Sequence, residues 1–154
     1  MAVSEIFIIS GLVDSGKTTS ILNWKKGRNV SGILTPKIDG KRMFMDAKTE
    51  ELFSMEAEGN EEIITVGKYQ FSKTGFERAS QVLLDAKDSQ ETDWLLIDEL
   101  GPLELEGEGF AKAMKAILLD RREIKMMLVI RESILTKVTD YFGIRQYQLF
   151  RINR

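Results

Sequence analysis

The amino-acid sequence predicts an α/β fold in which helices cover both faces of a mostly parallel β-sheet. Three continuous apolar runs, EIFIIS, WLLID and IKMMLVI, have the length and composition of strands that are buried on both faces. Segments with apolar residues at helical spacing lie between these runs. Because strands that alternate with helices favour a parallel sheet covered on both sides, a three-layer sandwich is expected.

Length and composition narrow the classes of protein to consider. The 154 residues contain no repeat, linker or low-complexity segment, which predicts a single domain over residues 1–154. The 22 basic and 24 acidic residues nearly balance, so no general attraction to nucleic acid or to an anionic membrane is expected. No apolar run approaches the roughly 20 residues of a membrane span, and no signal peptide precedes the first strand, which predicts a cytoplasmic protein.

The chain has no cysteine and no histidine. This excludes disulfides, thiolate metal sites, cysteine nucleophiles and every mechanism that depends on histidine. Oxygen ligands that act with Mg²⁺ are then the natural alternative for chemistry, and Mg²⁺ is the predicted cofactor.

The first half of the chain divides into a strand, a helix, a strand and an insert. The first strand is predicted over residues 5–10, and a helix from Lys17 to about Lys26, because apolar residues recur at helical spacing and Gly27 can end it. GILTP predicts a second strand that Pro36 closes. Residues 37–72 contain short, partly alternating runs between turn signals, which predicts an inserted antiparallel meander. Within it, DAKTEELFSMEAE is also compatible with a helical turn.

The second half alternates helices and strands. TGFE, residues 74–77, has the spacing of a capping box and predicts the start of a helix. Its apolar stripe is Phe76, Ala79, Val82, Leu83 and Ala86. Five further elements are predicted to follow. They are the strand WLLID, the helix GFAKAMKAILLD, the strand IKMMLVI, the helix SILTKVTDYF, which Ser133 opens, and the strand RQYQLFRI.

A glycine-bracketed loop follows the first strand and predicts a phosphate site. GLVDSGKT fits the pattern G-x-x-x-x-G-K-[ST] at Gly11, Gly16, Lys17 and Thr18. Such a loop turns its backbone N–H groups towards a phosphate at the start of the next helix, Lys17 reaches the β- and γ-phosphates, and the Thr18 hydroxyl can bind Mg²⁺. The alternative is a glycine-rich turn with an incidental lysine; the strand before the loop and the helix after it favour phosphate binding. The predicted nucleotide-binding residues are Gly11, Leu12, Val13, Asp14, Ser15, Gly16, Lys17, Thr18 and Thr19.

Two acidic residues end the strand WLLID. Proteins with such a loop need a carboxylate at the end of a neighbouring strand to hold the magnesium, and Asp98 stands at that position. Glu99 follows directly, where its carboxylate could polarise a water molecule against the γ-phosphate. The alternative interpretation is a polar turn at a strand end. These residues predict that a bound nucleoside triphosphate is hydrolysed in a P-loop NTPase-like domain.

Several segments resemble one known family. DELGPLEL, residues 98–105, resembles the DEIG-x-ME/LE signature of the THEP1-type nucleoside-triphosphatases. GILTPKIDGKRMFMD and VGKYQFSKTGFERA are similar to two further family segments, so that the resemblance runs in pieces from residue 6 to about residue 119. It implies a P-loop fold and hydrolysis of ATP, GTP or other nucleoside triphosphates to the diphosphate, with broad base tolerance. The matched positions are Lys17, Thr18, Asp98, Glu99 and, with no role defined, Glu104.

The second of these segments departs from the family pattern. Lys37 stands where the family usually has glutamate, and Asp39 where it usually has arginine, whereas Gly40 and Arg42 fit. The two reversed charges suggest either a changed substrate site or a divergent branch of the family.

One further cation and two further functions remain open. Arg131 follows the strand MMLVI, at the sheet edge where ligands bind, and could meet the γ-phosphate in the transition state; a solvated arginine at the start of a loop is the alternative.

A kinase could use residues 37–72 to bind an acceptor, although no arginine-dense lid lies between the last two strands. A nucleotide-binding adaptor with little turnover is the third possibility.

Overall fold

The computed structural model describes residues 5–11, 17–57, 63–66, 69–120 and 124–152. The strands are β1 Ile6–Gly11, β2 Val30–Leu34, β3 Lys37–Ile38, β4 Lys41–Asp46, β5 Leu52–Ser54, β6 Ile63–Val66, β7 Tyr69–Ser72, β8 Trp94–Leu100, β9 Lys125–Ile130 and β10 Gln148–Ile152. The helices are α1 Lys17–Trp24, α2 Lys73–Asp88, α3 Pro102–Leu105, α4 Ala111–Leu119 and α5 Leu135–Phe142, and a 3₁₀ turn over Glu132–Ile134 precedes α5.

The main sheet has the strand order β10-β1-β9-β8-β2-β4-β3. The first five strands in this order run parallel, and β4 pairs antiparallel with β2, β3 and β5. The strands β6 and β7 form a separate antiparallel pair. The predicted α/β fold and its antiparallel insert are therefore confirmed, but the first part of the insert extends the main sheet instead of standing apart from it.

Helices cover both faces of the sheet. On one face α1 packs through Ile21 against inward-facing residues of β2, β8 and β9. On the other face α2, α4 and α5 pack against β1, β8 and β9, as the predicted apolar stripes require. Phe44 of β4 joins this second core and contacts the rings of Phe53, Phe76 and Phe110, which ties the insert to the helical layer. Among the described helices, none is long and apolar enough to cross a membrane.

Element boundaries differ from the sequence prediction, by one to three residues at most ends and in kind at a few places. The strand β8 continues two residues beyond Asp98, because Leu100 still pairs with Ile130 of β9. The capping residue of α2 is Ser72 and not Thr74: the Ser72 hydroxyl accepts from the Gly75 N–H group, and the helix has already begun at residue 73. The predicted helix opening at residue 133 is a 3₁₀ turn, and α3 had no periodic signal because it is a single turn. Within residues 47–57, no helix forms at the segment where a helical turn was the alternative.

A close approach between β2 and β8 sets the position of the site. Gly32 of β2 lies opposite Leu96 of β8 with φ +124°, and a Cβ atom at this position would clash with the Leu96 backbone. Only glycine accepts both this backbone conformation and this contact. The close pairing brings the residue that follows β2, Thr35, alongside Asp98.

Candidate active site

The carboxyl ends of β1, β8, β9 and β2 meet above the start of α1, as ligand sites of parallel sheets require. Gly11 is the buried last residue of β1, and Lys17 is the first residue of α1. Thr19 is exposed on α1. The remaining predicted phosphate-loop residues, Leu12, Val13, Asp14, Ser15 and Gly16, and the side chain of Lys17 lie outside the part of the chain that the structure describes.

Thr18 and Asp98 meet directly. The Thr18 Oγ1 atom donates a hydrogen bond of 2.6 Å to Asp98 Oδ2, although the two residues are 80 positions apart in the sequence. The backbone N–H group of Thr35 donates to the same oxygen at 3.1 Å. The Thr35 carbonyl in turn accepts a bond of 2.7 Å from Arg42 Nη1. The predicted metal-binding hydroxyl and carboxylate are therefore in contact. Thr35 binds the carboxylate directly, and Arg42 binds the backbone of Thr35.

The carboxylate of Asp98 has one oxygen available for a ligand. The residue is only 1% exposed, and its Oδ1 atom has no hydrogen-bond partner among the described residues. Burial raises the pKa of Asp98, while the hydrogen bonds from Thr18 and Thr35 act in the opposite direction. A cation would stabilise this buried charge, and a carboxylate and a hydroxyl are oxygen ligands of the kind that Mg²⁺ accepts.

Thr18 and Asp98 offer a hydroxyl and a carboxylate as oxygen ligands for a cation. Among the described residues, no three acidic side chains converge on one point. Mg²⁺ in nucleotide sites is held by one or two protein oxygens, with water molecules and substrate phosphates as the other ligands. Thr18 and Asp98 are the described residues that fit this role.

Glu99 and Arg131 form an ion pair beside Asp98. Arg131 Nη2 donates to Glu99 Oε1 at 3.2 Å, and both side chains are partly exposed, 34% for the arginine and 22% for the glutamate. Glu99 lies at a register shift, because Asp98 pairs with Val129 while residue 100 pairs with the next residue of β9. Such a bulge turns a side chain away from the regular alternation of a strand. The structure therefore brings together the two residues for which the sequence predicted separate catalytic roles.

Buried polar atoms that lack a hydrogen-bond partner are concentrated at the carboxyl ends of the parallel strands. Within the described residues, three buried side-chain nitrogen or oxygen atoms have no hydrogen-bond partner: Ser10 Oγ, Asp98 Oδ1 and Arg131 Nε. They lie near the carboxyl ends of β1, β8 and β9. An unsatisfied buried polar group costs about 1–3 kcal/mol, and its presence needs an explanation. A polar ligand at this edge would supply it. Ser10 is not among the residues that the sequence pattern predicts, because a single hydroxyl in an apolar run carries no signal of its own.

Glu104 is the second buried carboxylate of the segment that resembles the family signature. It is 2% exposed, and its two oxygens accept from the backbone N–H groups of Gly101, at 2.6 Å, and Phe110, at 2.9 Å. Burial raises the pKa of Glu104 to about 7, although these hydrogen bonds favour the charged form. The residue was matched to the signature without a defined role, and the structure shows that it binds backbone of its own loop.

The two residues that depart from the family pattern lie in β3 and in the turn that joins it to β4. Lys37 is exposed and pairs with Arg42, and Asp39 has φ 51° in the turn before Gly40. Neither residue takes part in the contacts that the structure shows between Thr18 and Asp98.

Comparisons with known proteins bear on the family and on the fold. A sequence model of a family described as NTPase matches residues 6–154. The fold is similar to the crystal structure of THEP1 from the hyperthermophile Aquifex aeolicus, with a TM-score of 0.71 and 21% identity over 96% of this chain and 90% of that one. It is also similar to the solution structure of a human cancer-related nucleoside triphosphatase, with a TM-score of 0.72 and 21% identity over 98% of this chain and 90% of that one. No curated protein sequence matches significantly.

Proposed function

This chain belongs to the NTPase family, and on that basis we propose that it is a Mg²⁺-dependent hydrolase that converts nucleoside triphosphates to the diphosphate and inorganic phosphate. We further propose a broad base specificity that includes ATP and GTP. The observation that carries the proposal is the contact between Thr18, at the start of α1, and the buried carboxylate of Asp98. It joins the predicted phosphate loop to the predicted metal ligand.

The phosphate chain is held by the loop that precedes α1. In the proposal, the backbone N–H groups of residues 11–18 bind the β-phosphate and the Lys17 ammonium binds the β- and γ-phosphates. Bound Mg²⁺ would neutralise charge on the phosphate oxygens, and Thr18 and Asp98 are the residues that would hold it. The backbone N–H group of Thr35 keeps the Asp98 carboxylate in place.

Glu99 and Arg131 act on the attacking water and on the γ-phosphate. The Glu99 carboxylate accepts a proton from a water molecule, whose oxygen forms a bond to the γ-phosphorus as the bond to the bridging oxygen breaks. The leaving diphosphate keeps the electron pair of that bond. Arg131 contacts Glu99 and has its Nε–H group buried without a partner among the described residues. This group is available to a γ-phosphate oxygen, where it would stabilise the developing charge.

The test is a phosphate-release assay with ATP, GTP, CTP and UTP in the presence of Mg²⁺ or of a chelator. We expect release from several of the four nucleotides, loss of release with the chelator, and loss in Lys17→Ala. Equal amounts of diphosphate and inorganic phosphate would distinguish hydrolysis from transfer to an acceptor. Nucleotide binding without any release would instead support the adaptor function and contradict the proposal.

The role of Glu99 has its own variant and control. Glu99→Gln keeps an oxygen that can accept from Arg131 but cannot take up a proton, so turnover should fall by about 100-fold or more while nucleotide binding is retained. Glu106→Gln removes the same charge from an exposed position in the following loop and should leave turnover unchanged. Equal rates in the two variants would refute the assignment of Glu99 as the base.

A further inference from the structure

The loop between β8 and α4 is closed by a single buried carboxylate, that of Glu104. One oxygen accepts from the N–H group of Gly101, which directly follows β8, and the other accepts from the N–H group of Phe110, which directly precedes α4. The two ends of the loop are thereby joined through one side chain. Both bonds are made to oxygens of one carboxyl group, so a single side chain satisfies two backbone donors.

The surrounding loop is shaped to admit this carboxylate. Gly109 has φ +61°, and a Cβ atom there would clash with Glu104 Oε2. Only glycine accepts this conformation readily and leaves the space that the oxygen occupies. We call the two hydrogen bonds from Gly101 and Phe110 to the Glu104 carboxylate the bridge. Phe110, at its far end, is 1% exposed and packs against the rings of Phe44 and Phe76. The carboxylate is thus anchored on a rigid part of the core.

The other end of the bridge restrains the residues that carry the proposed chemistry. Gly101 is two residues beyond Glu99, and Leu100 between them is fully buried and pairs with Ile130. Glu99 itself lies at the register shift, where the regular ladder between β8 and β9 is interrupted. A side chain at a bulge has fewer backbone restraints, so a fixed point directly after it limits where its carboxylate can lie.

We propose that Glu104 is a positioning residue, which holds the Glu99 carboxylate against Arg131 by binding the backbone N–H groups of Gly101 and Phe110. Its effect on turnover rests on the proposed function of the site, whereas its effect on the ion pair does not. Glutamine cannot replace it, because the amide offers one acceptor oxygen and its NH₂ group would face a backbone donor.

The experiment compares Glu104→Gln with Glu108→Gln, which removes the same charge from an exposed position in the same loop. Two readouts are measured on each folded protein: the kcat and nucleotide Kd of the phosphate-release reaction, and the NMR signal of the Arg131 Nε–H group. We expect Glu104→Gln to lower kcat by about tenfold or more, with Kd within about twofold of the wild type, because only the position of the reacting groups changes. The Arg131 signal should shift in Glu104→Gln and stay in place in Glu108→Gln.

An unchanged kcat in Glu104→Gln, at a temperature where it is folded, would overturn the proposal even if its melting temperature falls. If the wild type itself releases no phosphate, the proposed hydrolysis fails, but the Arg131 signal still decides: a shift supports the positioning role and an unshifted signal refutes it. Should Glu104→Gln fail to fold, Gly109→Ala tests the same bridge, because the added methyl group displaces the Glu104 oxygen from Phe110 while the charge remains.

Discussion

Replacement of Glu104 by glutamine is expected to change how stability depends on pH. The carboxyl group is almost completely buried, and its pKa is raised from the ordinary 4.5 to about 7. Between these two values the folded protein holds a proton that the unfolded chain has released. The free energy of unfolding therefore falls as pH rises through this interval, by about 1.4 kcal/mol per pH unit.

The size of the effect follows from the same two pKa values. A shift from 4.5 to about 7 corresponds to about 3 kcal/mol, since one pKa unit is about 1.4 kcal/mol. This stability is fully present below the pKa of the unfolded chain and is lost once the pH exceeds the pKa of the folded protein. Burial is the largest cause of the shift, because the charged form is deprived of water.

The glutamine variant removes the titration and leaves one backbone N–H group without an acceptor. An unpaired buried donor costs about 1–3 kcal/mol at every pH. At about pH 5 the variant should therefore be less stable than the wild type by that amount, whereas at about pH 8 the relief of the buried charge, about 3 kcal/mol, should offset the loss. The stabilities of the two proteins should thus converge as the pH rises.

Urea unfolding at several pH values, from about pH 5 to about pH 8, measures this difference. Other titrating groups affect both proteins alike and cancel in the comparison. Glu108→Gln, at an exposed position, should give a stability curve parallel to that of the wild type. A difference between Glu104→Gln and the wild type that stays constant with pH would refute the reasoning, because the buried carboxyl would then not titrate in this range.

Three further perturbations are expected to have distinct effects. Thr18→Ala removes the hydroxyl next to Asp98, the proposed metal ligand, so that half-maximal phosphate release should require more Mg²⁺, and Thr18→Ser should restore the dependence. Gly32→Ala should destabilise the fold far more than Gly27→Ala, because residue 27 also has positive φ but a Cβ atom there meets no atom within 4 Å. In urea unfolding, Gly27→Ala should cost about 1 kcal/mol from backbone strain, and Gly32→Ala several kcal/mol because of the added clash. Phe44→Ala, in the core, should cost about 3–5 kcal/mol by the same measurement, whereas Phe150→Ala, at 49% exposure, should cost much less.

The sequence predicted the elements that have a strong periodic signal. The strands β1, β8 and β9 are continuous apolar runs in the sequence, because both faces of a central parallel strand are largely covered. The start of α2 was misplaced because two hydroxyl residues, Ser72 and Thr74, lie near it, and only the backbone geometry decides which one caps the helix.

The residues of the candidate site could be predicted where their chemistry is local in the chain. The phosphate loop depends on glycine and lysine at fixed spacing, so Gly11 and Thr18 could be named from the pattern alone. Asp98 and Glu99 could be named because they follow an apolar run. By contrast, the buried hydroxyl of Ser10 had no such signal, since the interior position of a single hydroxyl emerges only when the sheet is assembled.

The sequence by itself determined which residue types are present for the proposed nucleotide chemistry and on which elements they lie. The tertiary structure alone decided that Asp98 accepts from Thr18, that Glu99 lies at a bulge against Arg131, and that Glu104 bridges its own loop. The physical reason is that periodicity and spacing are properties of neighbouring residues. Strand register, a bulge and the burial of a carboxylate depend on contacts between segments that are far apart in the chain, and these exist only in the folded protein.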